Sequence, residues 1–333
     1  MVDMIDTLIA RDAAYVTDDG VYLSIAAVPD YGLLAHQSVD DMLSGGGDRE
    51  VFGAENKRHP ADFALWKFTK PGEPSWPSPW GEGRPGWHSE CVVMSLELLG
   101  EGFDLHCGGA DLRFPHHENE RAQSVALGKT FANHWMHNGF VVDLEGEKMS
   151  KSLGNVLNLL DLLDKYDPRA YRMLLLQTHY RSPVRVGQDN IDASVSALAG
   201  LDSFAARTSS LQHSTLDAEV LRQFADAMDN DLDTPAAMAL VFDTVRRANT
   251  AFDNGDMDTA SSLRSAVMEV LAALGLQLSA GDDVDEQIVA KATALDAARA
   301  AKDFATADAI RNELQDLGYV VETSKEGTRV RRG

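Results

Sequence analysis

The feature that most constrains the fold is a succession: Phe103-Asp104-Leu105-His106, then Gly108-Gly109, then Pro115 leading His116-His117-Glu118-Asn119-Glu120. The first four residues read as a short buried strand and the glycine pair as the loop that leaves it. Pro115 reads as the first residue of a helix, where its missing N–H costs nothing. A strand, loop and helix with reactive side chains at the strand's C-terminal end is the unit of a parallel α/β sheet, and such sheets hold ligands at that end. Phe140-Val141-Val142 supplies another strand.

From Pro115, His116 and Glu120 fall one turn apart and project from one helix face. With the thiolate of Cys91 they offer S, N and O donors, the mixed set expected of a zinc site with an open position. The competing reading is a buried thiol near two unrelated surface groups. Further on, Lys148-Met149-Ser150-Lys151-Ser152 is framed by Gly146 and Gly154. Two ammonium groups and two hydroxyls on a segment that can close suit a polyphosphate, whose leaving group gains charge during transfer; a solvated turn is the alternative.

The rest of the chain places these motifs. Asp3 to Arg11 reads as the end of a helix, followed by a hairpin of Tyr15-Val16 and Val21-Tyr22-Leu23 around Asp18-Asp19-Gly20. Ser44 to Asp48 is a flexible loop. The Pro- and Trp-rich stretch from Pro71 to Trp87 is expected to hold neither ladder nor helix, and to lead as a shaped loop into the helix that carries Cys91. After Asp167-Pro168 the pattern turns helical: an apolar helix over Tyr171 to Leu176, then helices from Ile191 to Leu274, one of them opening at Ala236 behind Asp233-Thr234-Pro235. A linker from Ser279 to Glu286 precedes a helical pair broken near Asp303 and a closing hairpin of Tyr319 to Glu322 with Thr328 to Arg331.

With two cysteines, no signal peptide and no apolar run able to span a bilayer, the chain is expected in a reduced cytoplasm, without membrane contact. The formal net charge of −22 argues against easy binding of nucleic acid, although such binding depends on local Lys and Arg rather than on the total. Local clusters remain for such a contact: Arg181 and Arg185, Arg246 and Arg247, and Lys325, Arg329, Arg331 and Arg332. Each reads equally well as a solvated face.

These residues closely resemble one family. Leu65-Trp66-Lys67, Pro71 to Gly81, Gly83 to His88, Glu90-Cys91, Phe114 to Glu120 and Lys148 to Ser152, in this order, are similar to the cysteine–tRNA ligases, the class I cysteinyl-tRNA synthetases; the likeness runs from about Asp3 to Arg332. The resemblance implies an α/β plus all-α chain: an incomplete class I Rossmann-type catalytic domain, a helical anticodon-binding bundle, and a small C-terminal helical and hairpin subdomain. It implies boundaries at 1–80 for a connective insertion region, 81–158 for the second half of the Rossmann-type domain with the zinc site and lysine loop, 159–190 for a stem-contact region, 191–278 for the bundle and 286–333 for the subdomain. It also implies activation of cysteine by ATP, with Mg2+, to cysteinyl-adenylate, and transfer to tRNA(Cys). Cys91, His116 and Glu120 match family zinc ligands. Trp87 and His106 match residues around the bound cysteine, Lys148 and Lys151 the ATP-binding lysine loop, and Gly108, Gly109 and Asp111 the loop near the adenosine.

Two departures from the family pattern stand out. The His-x-Gly-His element that binds ATP phosphates on the first Rossmann turn, and the zinc cysteine just ahead of it, are not among the 333 residues. The expectation is therefore a chain equivalent to the C-terminal two-thirds of the enzyme, catalytically incomplete alone and completed by a separate N-terminal fragment. Cys107 stands where the family has glycine, either as a small buried hydrophobe or as a substitute ligand. Two other readings are open: a mycothiol-pathway ligase joining cysteine to an amino sugar, and a non-catalytic tRNA-binding remnant.

Overall fold

The computed structural model describes residues 1–38, 55–143, 146, 158–279, 286–324 and 327–332, so the Lys148–Ser152 run and the Ser44–Asp48 loop lie outside the described residues. Two compact units divide the chain, Met1–Phe140 and Val141–Gly333.

In the first unit, helix α1 (Val2–Ala10) leads into β1 (Ala14–Val16) and β2 (Gly20–Leu23), which pair antiparallel with Val16 opposite Val21, as the Asp18-Asp19-Gly20 turn requires. β3 (Phe63–Phe68) and β4 (Gly83–Pro85) complete a four-stranded antiparallel sheet in the order β1-β2-β3-β4. Ile5, Leu8, Val21, Leu23 and Leu65 are fully buried in its core. A buried carboxylate ties the connection down: Asp62 accepts from Tyr15 Oη at 2.7 Å and from the amides of Ile25 at 2.9 Å and His59 at 3.0 Å. The stretch Pro71–Trp87 thus departs from expectation at its end. Gly83–Pro85 joins a ladder with β3, which is possible because this is the edge strand, where proline's missing N–H leaves no partner unpaired.

Gly86 then reverses the chain. Its amide donates to Leu65 O at 2.8 Å, and a Cβ at this position would overlap the Ala64 carbonyl oxygen, so only glycine lets the chain cross β3 this closely. α2 (Trp87–Leu98) follows and carries Cys91, as expected. Next come β5 (Phe103–Gly109), a π-type turn (Arg113–His117), α3 (Glu118–Ala126) and β6 (Ala132–Asn138), with β5 and β6 parallel.

Two expectations are corrected here. β5 extends through Gly108-Gly109, so the glycine pair is strand rather than loop, and the strand is half-exposed, with Leu105 on its outer side. The α-helix also does not start at Pro115. Phe114 is extended (φ −138°, ψ 135°), the His117 amide donates to Leu112 O at 2.8 Å across a widened turn, and regular helix begins at Glu118.

The second unit begins with β7 (Val141–Val142), parallel to β8 (Val184–Arg185). Its helices are α4 (Leu159–Leu163), α5 (Pro168–Leu176), α6 (Gln188–Arg207), α7 (Ala218–Asp229), α8 (Thr234–Asp253), α9 (Met257–Ala273), α10 (Glu286–Ala300) and α11 (Phe304–Asp316). The closing hairpin is β9 (Tyr319–Ser324) with β10 (Gly327–Arg332), Val321 opposite Val330. Leu201, Met238, Leu263 and Leu271 are buried in one core cluster. α8 opens at Thr234 rather than Ala236, because Asp233 itself caps the helix by accepting the Ala236 amide.

Asp167, Asp217, Asp256 and Asp303 cap α5, α7, α9 and α11 in the same way. Part of the acidic excess is therefore spent at the positive ends of helices. Of the basic clusters, Arg181 pairs with Asp231 at 2.6 Å and Arg246 with Asp243 at 2.9 Å, so these two guanidiniums are already engaged on the surface. No described helix is long and apolar enough to cross a membrane.

Arg169 is the polar centre of this unit. Its guanidinium makes two 3.0 Å bonds to Asp202 on α6, chelates Asp167, and donates to Gln277 O at 3.1 Å beyond α9. Removing one partner of such a partly buried network leaves two carboxylates facing each other. Arg169→Met is expected to lower the stability of the helical unit by about 2 kcal/mol, read as a lower midpoint in urea denaturation followed by circular dichroism; an unchanged midpoint would show the network to be idle.

Candidate metal centre

Glu120 is the pivot of the site. It lies in the first turn of α3, fully buried, and a carboxylate there must be paired or neutralised. One oxygen, Oε2, is 2.8 Å from His106 Nε2 on β5, in good hydrogen-bond geometry. The other, Oε1, is 2.9 Å from His116 Nε2, yet it has no hydrogen-bond partner among the described residues. Two ligand atoms this close and misaligned behave as groups that face a common third point rather than each other. Cys91 supplies the third group: its thiol and the ligand atoms of His116 and Glu120 all lie within 4.8 Å of one another.

A second trio, His106, His117 and Glu120, satisfies the same distance test. It fits an ion less well, because Glu120 Oε2 is already satisfied by His106. The orphaned oxygen and the soft sulfur both belong to the first trio, whose S, N and O donors suit zinc.

Burial and charge set the protonation states. Burial raises the Glu120 carboxyl, but the hydrogen bond with His106 and the nearby His116 ring outweigh it and bring it down to about 2. Burial pushes the Cys91 thiol up to about 11, aided by the charge of Glu120. Burial also holds His88 and His117 down at about 4, so both rings are neutral near pH 7.

The surrounding residues fix the geometry. Ser89 Oγ on α2 donates to Gln123 Oε1 on α3 at 2.9 Å, and Gln123 Nε2 donates to Asn119 O at 3.1 Å, clamping the helix of Cys91 to that of Glu120. Glu118 Oε2 accepts the Ala35 amide at 2.9 Å and Asn119 Oδ1 accepts from Tyr31 Oη at 2.6 Å, so both polar residues preceding Glu120 are anchored to one connection. Gly108 is required by close approach: a Cβ there would stand 2.7 Å from His117 Cε1 and 3.0 Å from Leu112 Cδ1.

The structure thus brings together Cys91, His116, Glu120 and His106. Trp87 stacks on His116 with ring centroids 4.1 Å apart while remaining 59 % exposed. Gly108 and Gly109 lie at the C-terminal end of β5, and a Cβ on Gly109 would stand 2.6 Å from Asp111 Oδ1. Lys148 and Lys151 lie outside the described residues. Cys107 is exposed, one residue along the strand from the inward His106, and belongs to neither trio, so it is not the small buried hydrophobe the sequence allowed. The sequence assigns no role to His88 or His117. The parallel register also places His137 opposite Gly108, with Nε2 2.9 Å from His117 Nδ1.

Comparisons with known proteins show which family the sequence matches. The family model of the class I (C) tRNA synthetase catalytic domain matches residues 1–196, the DALR domain model residues 223–279, and the cysteinyl-tRNA ligase anticodon-binding domain model residues 296–331. The cysteine–tRNA ligase of Caldicellulosiruptor saccharolyticus is 41% identical over 348 residues, covering 100% of this chain and 74% of that protein. The cysteine–tRNA ligase of Halorhodospira halophila is 44% identical over 353 residues, covering 100% and 73%. The chain therefore spans about three quarters of the length of these relatives. A methionyl-tRNA synthetase structure from Mycobacterium tuberculosis, bound by methionyl-adenylate, shares the fold at TM-score 0.55 and 14% identity, over 84% of this chain and 70% of that one.

The contrast between the two cysteines is directly measurable. In metal-stripped protein near pH 8, Cys107 is expected to react with iodoacetamide well before Cys91, since Cys107 is exposed and Cys91 is held as the thiol. Peptide mass spectrometry over a time course checks this; equal rates would mean that Cys91 is not shielded by Glu120.

Proposed function

We infer that this chain, which belongs to the cysteine–tRNA ligase family, carries the amino-acid-recognising and tRNA-binding parts of a cysteine–tRNA ligase, with cysteine, ATP and tRNA(Cys) as substrates and Mg2+ accompanying ATP. The observation that carries the reading is the orphaned, buried oxygen of Glu120 facing His116 and Cys91. These three residues would hold zinc. Bound there, zinc supplies a soft Lewis-acidic partner for a substrate thiolate, which separates cysteine from serine without a second, hydrolytic site.

The chain's own residues do the rest. Trp87, exposed on one side and stacked on His116 on the other, offers a wall for the substrate side chain. His106, held by the other oxygen of Glu120, presents a ring fixed in orientation. Gly108, Gly109 and Asp111, at the C-terminal end of β5, stand where a parallel sheet receives a nucleotide, and the adenosine of ATP is assigned to them. Lys148 and Lys151 would meet the charge that grows on the departing pyrophosphate. No His-x-Gly-His element stands among the 333 residues. A segment carrying that element and a further cysteine, on the same or another chain, would complete the phosphate site and the metal shell.

Three outcomes test this. Protein purified without chelator is expected to contain about one equivalent of zinc, lost in Cys91→Ala and retained in Cys107→Ala; zinc at background by plasma mass spectrometry would remove the metal assignment. The 333-residue chain alone is expected to show no cysteine-dependent pyrophosphate exchange, and to gain it on co-expression with the N-terminal segment of a relative. In that assembled enzyme Lys151→Ala is expected to slow exchange by roughly 10²- to 10³-fold with a smaller effect on cysteine binding, and Lys148→Ala by less.

A further inference from the structure

We propose that His88 is a positioning residue for the metal centre: it accepts the Nδ1–H of His116 and thereby commits His116 Nε2 to the ion. The inference rests on the metal reading above and extends it to a residue that touches no ligand position itself.

His116 has two ring nitrogens with different surroundings. Nε2 faces Oε1 of Glu120, a fellow member of the Cys91 trio, at 2.9 Å; Nδ1 lies 2.8 Å from His88 Nδ1. A nitrogen that gives its lone pair to a metal carries no hydrogen, so the proton of a neutral His116 must sit on Nδ1. His116 is only 4 % exposed, and an N–H buried to that degree needs an acceptor. His88 Nδ1 is the acceptor in place, which puts the proton of His88 on its own Nε2. One contact fixes both tautomers.

His88 is held for this task. It lies three residues before Cys91 on α2, so it shares a helix face with the thiol ligand. Its ring meets Phe63 edge-on at 5.7 Å and Trp87 at 5.6 Å, which restricts its rotation. α2 thus supplies one ligand and orients another. Ring nitrogens that back metal-bound histidines commonly contribute 10- to 100-fold in metal affinity.

The test uses the full 333-residue chain and zinc itself, titrated against a competing chelator. His88→Asn places an amide oxygen where Nδ1 was, and His88→Leu has nearly the same shape without an acceptor; both lose the ring contacts with Phe63 and Trp87, so their difference reads the acceptor. His88→Leu is expected to bind zinc roughly 10- to 100-fold more weakly than wild type, with His88→Asn within about threefold of wild type. Equal affinity of the Leu and Asn variants would overturn the proposal. Should the Leu variant fail to fold, long-range 1H–15N spectra of zinc-loaded wild type decide alone: a proton on His116 Nδ1 supports the assignment, and a proton on Nε2 overturns it. Cys91→Ala is the separate control. If it takes up zinc like wild type, the metal reading itself fails and this inference falls with it, a result distinct from equal zinc affinities of the two His88 variants.

Discussion

The first unit is organised around the cost of burying one carboxylate. Glu120 is closed off from water, and the structure meets that cost in part with His106 on β5, while His116 in the turn ahead of α3 stands close to the other oxygen without bonding it. Everything nearby serves that arrangement. The widened turn brings His116 and His117 to the same depth, Gly108 makes room for the His117 ring, and the Ser89–Gln123 bond holds α2 at the distance that brings Cys91 into range. A buried ion pair is weak evidence for stability, since an apolar core would often do as well. Here one oxygen of Glu120 is left unsatisfied, and it is the oxygen that the proposed zinc would take up.

The second unit is built on other terms. Its core is aliphatic and helical, and its polar order comes from aspartates at helix starts and from Arg169. The strongly acidic composition is thus compatible with a family that works on a polyanion: several carboxylates act on the protein's own backbone, and some arginines are occupied by neighbouring acids. Surface pairs of that sort are worth little and can exchange partners readily.

Much of this was legible in the sequence, for identifiable reasons. Cys91, His116 and Glu120 could be grouped because His116 and Glu120 sit four apart next to a proline, and that spacing survives the change from α-helix to π-type turn. The hairpin around Asp18-Asp19-Gly20 and the helix break at Asp303 rest on turn and capping chemistry that acts over a few residues. What escaped depends on register. Nothing in the string marks His137 as the neighbour of His117; that follows from a parallel pairing between strands separated by a helix. The paired end of the Pro-rich stretch escaped for a related reason, since edge position in a sheet is a tertiary fact. Glu118 and Asn119 read as ordinary polar helix residues until Ala35 and Tyr31 are brought against them.

The closeness of the cluster's members along the chain bears on how it comes into being. His106 and Glu120 are 14 residues apart, His117 and His137 are 20, and His88 and His116 are 28. Closing loops of this size costs little more entropy than closing one of half the length, since the penalty grows only with the logarithm of the separation. The polar centre can therefore condense early, from a stretch of about fifty residues, without waiting for distant segments to arrive. For a cluster of histidines around one buried carboxylate, local assembly has a plain advantage: the partners lie close along the chain, ahead of competing carboxylates elsewhere on a strongly acidic sequence.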